Sequence, residues 1–275
     1  MTFRFPLKDV TIKVTDQKTS LSSPLYSDEW NHINQQEFAL DVEGVAWFYA
    51  NNGNYIEICP YTSDDPTAIE LYLNGSVYGA ILLQRMILPL HGSCFNYLGK
   101  GIMVCGESGA GKSSITAAFC LDGAGFLTDD ISPMIVKDNL PFILTLSDRI
   151  KLWDDSLAQL NLTKNGLTKI DRDSEKFYLS LDAEKKDSFP LRQLFVIEIH
   201  EKKGTEFREI RGAEKLTIIR NQIYRLEYLQ GMPQNESAYF HNLVDISNAV
   251  KITLVKRHVD ISILHLMDLI KNYIG

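Results

Sequence analysis

The chain has no paired cysteines, no long apolar run, no excess of positive charge and no internal repeat. Its four cysteines, Cys59, Cys94, Cys105 and Cys120, form no C-x-x-C pair, so neither a zinc site nor a disulfide framework is expected. Cys105 and Cys120 fall in apolar segments and read as buried thiols, which suits a reducing cytoplasm. The longest apolar stretch, Gly79 to Leu90, is interrupted by Gln84 and Arg85 and is too short to cross a bilayer. Met1 to Val10 carries Arg4, Lys8 and Asp9 and has no apolar centre, so it is not expected to be a signal peptide. The net charge of −7 supplies no basic face to neutralise nucleic acid, although a few local cations would still suffice for a phosphate. A cytoplasmic protein with no nucleic-acid or membrane partner is expected.

With 275 residues, 45% hydrophobic and 23% charged, there is enough apolar material for a soluble core. Residues 1–80 read as a β-rich lobe. Asp9–Val14 alternates polar and apolar residues, and Phe38–Val42, Val45–Tyr49 and Tyr55–Ile58 are rich in aromatic and β-branched side chains. Asn51-Asn52-Gly53-Asn54 between two of these runs is a turn signal. Residues 68–90 read as helical, ended by Pro89. Gly101–Cys105 is a short apolar run, Lys112–Leu121 a helix closed by Gly123 and Gly125, and Phe126–Thr128 a strand leading to Asp129-Asp130. This order begins an α/β unit. Phe142–Leu146, Leu194–Ile199 and Lys251–Val255 read as strands. Ala213–Leu229, Ser237–Val250 and Val259–Ile274 read as helices with core-facing stripes.

Gly106-Glu107-Ser108-Gly109-Ala110-Gly111-Lys112-Ser113 fits G-x-x-x-x-G-K-[ST] at every fixed position. Gly106, Gly109 and Gly111 can take positive φ, which turns successive amides toward one anion. The following helix points its positive end at the same place. Lys112 adds charge for the β- and γ-phosphates, and Ser113, followed by Ser114, offers a hydroxyl to Mg²⁺.

Asp129-Asp130 follows the strand after the loop's helix, where an acidic residue holds Mg²⁺ in such enzymes. Two carboxylates allow one to orient metal-bound water and the other to accept a proton. His91 precedes the loop's strand and Gly92 follows it. His32, His200, His241, His258 and His265 show no ligand spacing.

The stretch Leu83–Ser93, with His91-Gly92, then Gly106–Ser113, then Leu127-Thr128-Asp129-Asp130, resembles the kinase domain of HPr kinase/phosphorylase. Shorter HPr-kinase-like proteins, some of which phosphorylate a serine on a natural-product precursor peptide, are the nearer resemblance. Ile150-Lys151-Leu152-Trp153-Asp154, Glu175-Lys176-Phe177 and Leu194–Ile199 are similar as well. The resemblance implies an α/β catalytic domain over 81–275, a mixed sheet flanked by helices, with the β-rich lobe continuous with it. It implies an ATP- and Mg²⁺-dependent kinase with a serine hydroxyl of a peptide or protein as acceptor. It also sets His91 beside the catalytic acid and the transferred phosphate. The roles within the acidic pair stay open; the expectation is Asp130 with Ser113 on the metal and Asp129 as the base. By position, Lys176 and Arg149 are candidates for phosphate or substrate contacts. Three departures argue against phosphorylase activity and against HPr as acceptor: no separate N-terminal domain, Ser114 in place of an acidic residue, and no later glycine- and arginine-rich loop. A homo-oligomer is left open.

Three other readings compete. A GTPase needs D-x-x-G and [NT]-K-x-D; Asp122–Gly125 and Thr168–Asp171 match as strings. The first follows Lys112 too soon and the second lacks a preceding apolar strand, so both read as coincidence. A nucleotide sensor would need no base, and an Asp129→Asn variant that loses transfer but keeps ATP would exclude it. A kinase for a free hydroxy amino acid shares every motif. The β-rich lobe offers strand edges where an extended peptide could dock.

Overall fold

The computed structural model describes residues 3–61, 65–170 and 174–274. Two units divide the chain, one of residues 1–89 and 223–241, the other of 90–222 and 242–275.

The first unit is built on a six-stranded sheet. Its strands are β1 (Thr11–Val14), β2 (Tyr26–Ser27), β3 (Asn31–Ile33), β4 (Glu37–Val42), β5 (Ala46–Asn51) and β6 (Tyr55–Pro60), ordered β1-β6-β5-β4-β3-β2. Asn52 and Gly53 have φ of 51° and 69°. A tight β5–β6 hairpin needs two such positive values, which the Asn-Gly signal anticipates. Helix α1 (Pro66–Tyr72) starts at Asp65, whose side chain accepts from the Ala68 N–H, with Pro66 in the first turn. It runs through a π-helical turn (Leu73–Val77) into α2 (Tyr78–Gln84). Phe38, Phe48, Ile56 and Ile58 from the sheet and Leu73, Val77 and Ile81 from the helices are fully buried.

The helix expected over 68–90 ends at Gln84. Met86, at φ 59°, reverses the chain, and Leu88–His91 is strand β7. A non-glycine residue in the left-handed region gives no sequence signal. The stripe expected over 213–229 is broken likewise. Helix α5 (Ala213–Asn221) stops, Arg225 takes φ 55°, and a 3₁₀ turn (Leu226–Gly231) follows. Leu216 and Ile219 thus serve the second unit and Ile223 and Leu226 the first.

The second unit follows β7 with β8 (Ser93–Tyr97), β9 (Lys100–Gly106), α3 (Lys112–Leu121), β10 (Gly125–Thr128), β11 (Ile131–Lys137), β12 (Leu140–Leu144), β13 (Arg149–Trp153), α4 (Asp154–Gln159), β14 (Thr168–Lys169), β15 (Lys176–Ser180), β16 (Ser188–His200), β17 (Glu206–Ile210), α5, α6 (Glu236–Ala249, entered from the first unit), β18 (Lys251–His258) and α7 (Ile263–Ile274). The main sheet is mixed and runs β10-β8-β9-β16-β12-β11-β7, with β18 on β16 and β17 on β18. Strands β9, β16 and β18 are parallel neighbours. Ligands in such sheets collect outside the carboxyl ends of the strands, here at Gly106, His200 and His258. Strands β13, β15 and β14 form a separate small sheet.

Phe95 of β8 stacks on Phe119 of α3 at 4.4 Å. Phe126, Phe195 and the inner face of α7 (Leu266, Met267, Ile270) complete that core. It fixes α3 against the sheet, and so fixes the loop that precedes α3. The C-terminal helix begins at Ile263 and not at Val259; residues 259–262 are a connection.

Candidate functional site

Strand β9 ends at Gly106, where φ is 137° and a Cβ would lie 2.4 Å from the Ile197 carbonyl oxygen of β16. Only glycine fits there. A Gly106→Ala variant is expected to cost roughly 1–3 kcal/mol, seen as a clear drop in melting temperature; an unchanged melting temperature would mean the strands part without strain. Gly109 and Gly111 have φ of 82° and 99°, so all three glycines take the positive values their spacing suggested. Helix α3 starts directly after Gly111, whose carbonyl accepts from the Ile115 N–H. The first amides of a helix have no acceptor within it and carry the positive end of its dipole. Lys112 folds back over the loop, its Nζ donating to the carbonyls of Gly106 at 2.9 Å and Glu107 at 3.1 Å. Burial pushes the Lys112 ammonium below its usual range, against the opposing pull of Asp130.

Asp129 and Asp130 lie between β10 and β11. Asp130 has φ 69°, and its carbonyl accepts from the Gly92 N–H at 3.1 Å. This unusual conformation splits the two side chains between different tasks. Asp129 accepts from the Ser113 hydroxyl at 2.7 Å and, through its other oxygen, from the Lys151 N–H at 2.9 Å. Asp130 accepts from Lys151 Nζ at 2.7 Å, and its second oxygen is 3.6 Å from His91 Nδ1. Burial and the neighbouring Asp130 charge raise the Asp129 pKa. Burial would raise Asp130 also, but the Lys151 ammonium outweighs it and holds the carboxyl below its usual range. Burial and the Lys112 charge lower the His91 pKa, so the imidazole is neutral at pH 7.

A cleft of about 700 Å³ opens beside these groups, a volume typical of small-molecule sites. Of the sequence candidates, His91, Ser108, Gly109, Ala110, Gly111, Lys112, Ser113, Ser114, Asp130 and Lys176 line it; Gly106, Glu107, Asp129 and Arg149 do not. The Ser114 hydroxyl is committed to Ser156 at 2.9 Å. The Arg149 guanidinium lies 3.8 Å over the Tyr178 ring, while Lys176 sits 4.6 Å over Trp153. The GTPase strings lie elsewhere: Asp122 ends α3 and pairs with Lys271, Thr168 and Lys169 form β14, and Asp171 is outside the described residues.

Lys151 is the site residue that sequence reasoning passed over. It stands on β13 between buried Ile150 and Leu152, so the alternation itself turns it to the opposite face. Its partner lies 21 residues earlier in the chain, which nothing local reveals. A Lys151→Met variant is expected to let burial dominate Asp130 and raise its pKa. Any activity that needs ionised Asp130 should then show its acid limb at higher pH than in the wild type; an unmoved limb would remove Lys151 from this role.

No family model matches the chain, and no curated protein does. Among solved structures, the Hpr(Ser) kinase/phosphatase from Coxiella burnetii is similar at 10% sequence identity and a TM-score of 0.37, over 67% of this chain and 95% of that one. So distant a likeness transfers no chemistry, and the roles that follow rest on this chain's own residues.

Among the described residues no cluster of three or more His, Cys, Asp or Glu side chains could cage a metal. Apart from the His91 imidazole, the donors at hand are oxygens: the Ser113 hydroxyl and the two carboxylates. That set fits Mg²⁺, which keeps several waters and takes further oxygens from phosphates.

Proposed function

We propose that the chain is a nucleoside-triphosphate-dependent kinase, with ATP as donor and a serine hydroxyl of a peptide or protein as acceptor. The observation that carries this is the 2.7 Å bond from Ser113, at the end of the glycine loop, to Asp129, beside a cleft-lining Asp130. In this reading a phosphate-type loop and an acidic pair 16 residues further along the chain share one site.

In this reading the amides at the start of α3 and the Lys112 ammonium hold the β- and γ-phosphates. Magnesium, held by Ser113 and Asp129, would neutralise phosphate charge. The distances favour exchanging the roles first given to the carboxylates. Asp129, with both oxygens engaged, fixes the Ser113 hydroxyl on the metal side. Asp130 lines the cleft, is ionised at neutral pH, and accepts the proton from the acceptor hydroxyl. Lys151 aims Asp130 and keeps it charged. Neutral His91 adds a polar group beside Asp130 without repelling a cation. Phosphoryl transfer needs little covalent help, so alignment and charge account for most of the rate gain. The unit of 90–222 and 242–275 would be the catalytic one.

γ-Labelled ATP offered with serine-containing peptides, and separately with free serine, tests this directly. Label on a peptide supports the proposal; label on free serine alone selects the small-molecule kinase. ATP binding with no transfer to any acceptor selects a sensor.

A further inference from the structure

The cleft extends away from the acidic pair. The sheet sets β8 and β10 on one side of β9 and β16, then β18, on the other. The phosphate loop leaves β9, so the carboxylates mark one direction from it and the carboxyl end of β18 marks the other. If the γ-phosphate points toward Asp130, as proposed above, the nucleoside must run toward β18.

That end of the cleft has a different character. Its wall is aliphatic: Val259, Ile261, Ile263 and Leu266 line it, with Ile115 of α3. Val259 is half exposed, so apolar surface is open to water beside a site otherwise rich in charge. Arg257 marks the boundary. Its Nε donates to the Ala110 carbonyl in the loop at 3.1 Å, and its Nη1 donates to the carbonyls of His258 and Val259, each at 3.2 Å. It therefore ties the phosphate loop to the aliphatic wall, while Nη2 enters none of these bonds. Next to that wall Gln159 also lines the cleft, its Oε1 accepting from the Ile263 N–H at 3.3 Å. With that oxygen engaged, the remaining amide N–H₂ is a donor for the edge of a ligand.

We infer that the wall formed by Val259, Ile261, Ile263 and Leu266 is the nucleobase subsite, with Arg257 bridging it to the phosphates and Gln159 meeting the edge of the base. The occupant is the base of a nucleoside triphosphate. A flat heteroaromatic ring with polar edges matches an aliphatic wall flanked by one amide donor and one guanidinium. The inference rests on the phosphate-loop reading, and the test separates the two.

Binding of Mg·ATP and of magnesium tripolyphosphate would be measured calorimetrically for the wild type and for Val259→Glu. Val259 is exposed enough for the variant to fold, and a thermal melt verifies it. Ile261→Asp serves as the second variant. The wild type should prefer ATP over tripolyphosphate by tenfold or more, about 1.4 kcal/mol. The variants should lose most of that preference while tripolyphosphate affinity stays unchanged. If tripolyphosphate binds but ATP binds no tighter, or if the variants keep the full preference, the base lies elsewhere and the phosphate site stands. If neither ligand binds the wild type, both the subsite and the phosphate-loop reading fall.

Discussion

An Asp130→Asn variant is expected to lose phosphoryl transfer by about 10²–10⁴-fold in kcat, the span general-base catalysis usually covers. Mg·ATP affinity should change little. Asparagine keeps the shape and accepts a hydrogen bond from Lys151, so the geometry survives, but it takes no proton. Asp129→Asn should behave differently. It weakens the grip on the Ser113 hydroxyl, so nucleotide affinity should fall and the magnesium concentration needed for activity should rise. Side-by-side titrations of magnesium and ATP on the two variants therefore separate the roles. A raised magnesium requirement in Asp130→Asn with none in Asp129→Asn would restore the opposite assignment, with Asp130 on the metal.

The second large effect belongs to Lys112. Lys112→Ala removes the ammonium that lies over the loop, and the loss should appear in both nucleotide affinity and kcat. Removing one charge-stabilising donor typically costs about 10²–10³ in kcat. Lys112→Arg is not expected to rescue it, because a planar guanidinium cannot replace a compact ammonium folded onto two carbonyls. The folded protein should survive either change: burial depresses the Lys112 pKa, which marks a group that costs stability when charged. A variant with wild-type turnover would place the transferred phosphate outside the loop.

The parts of the fold that were legible in the sequence are those set by local chemistry. Lys112–Leu121 was readable as a helix because a glycine loop precedes it and Gly123 closes it; the helix α3 has those bounds. The β5–β6 hairpin followed from Asn-Gly. The two broken helices have one physical origin. Met86 and Arg225 end helices by taking positive φ without being glycine, and tertiary packing alone compensates the strain. Strands β8, β11 and β13 went unread because Asn96, Pro133 and Lys151 interrupt their apolar pattern.

The candidate site was partly legible. The loop and Asp129-Asp130 stand out as motifs, whereas the division of labour within the pair does not. That division comes from one residue, Asp130 in the left-handed region, which sends the two carboxylates to different partners. Lys151 and Arg257 were invisible for a related reason. Each is an ordinary cation on a strand until the sheet brings it to Asp130 or to Ala110.

The central claim is that a polyphosphate sits in the 106–113 loop with magnesium between it and the Ser113–Asp129 pair. A crystal structure with a non-hydrolysable ATP analogue and Mg²⁺ tests it most directly. The account predicts β- and γ-phosphates against Lys112 and the first amides of α3, with the metal on the Ser113 hydroxyl. A nucleotide bound away from this loop, or held with Ser113 and both carboxylates turned from the phosphates, would contradict it.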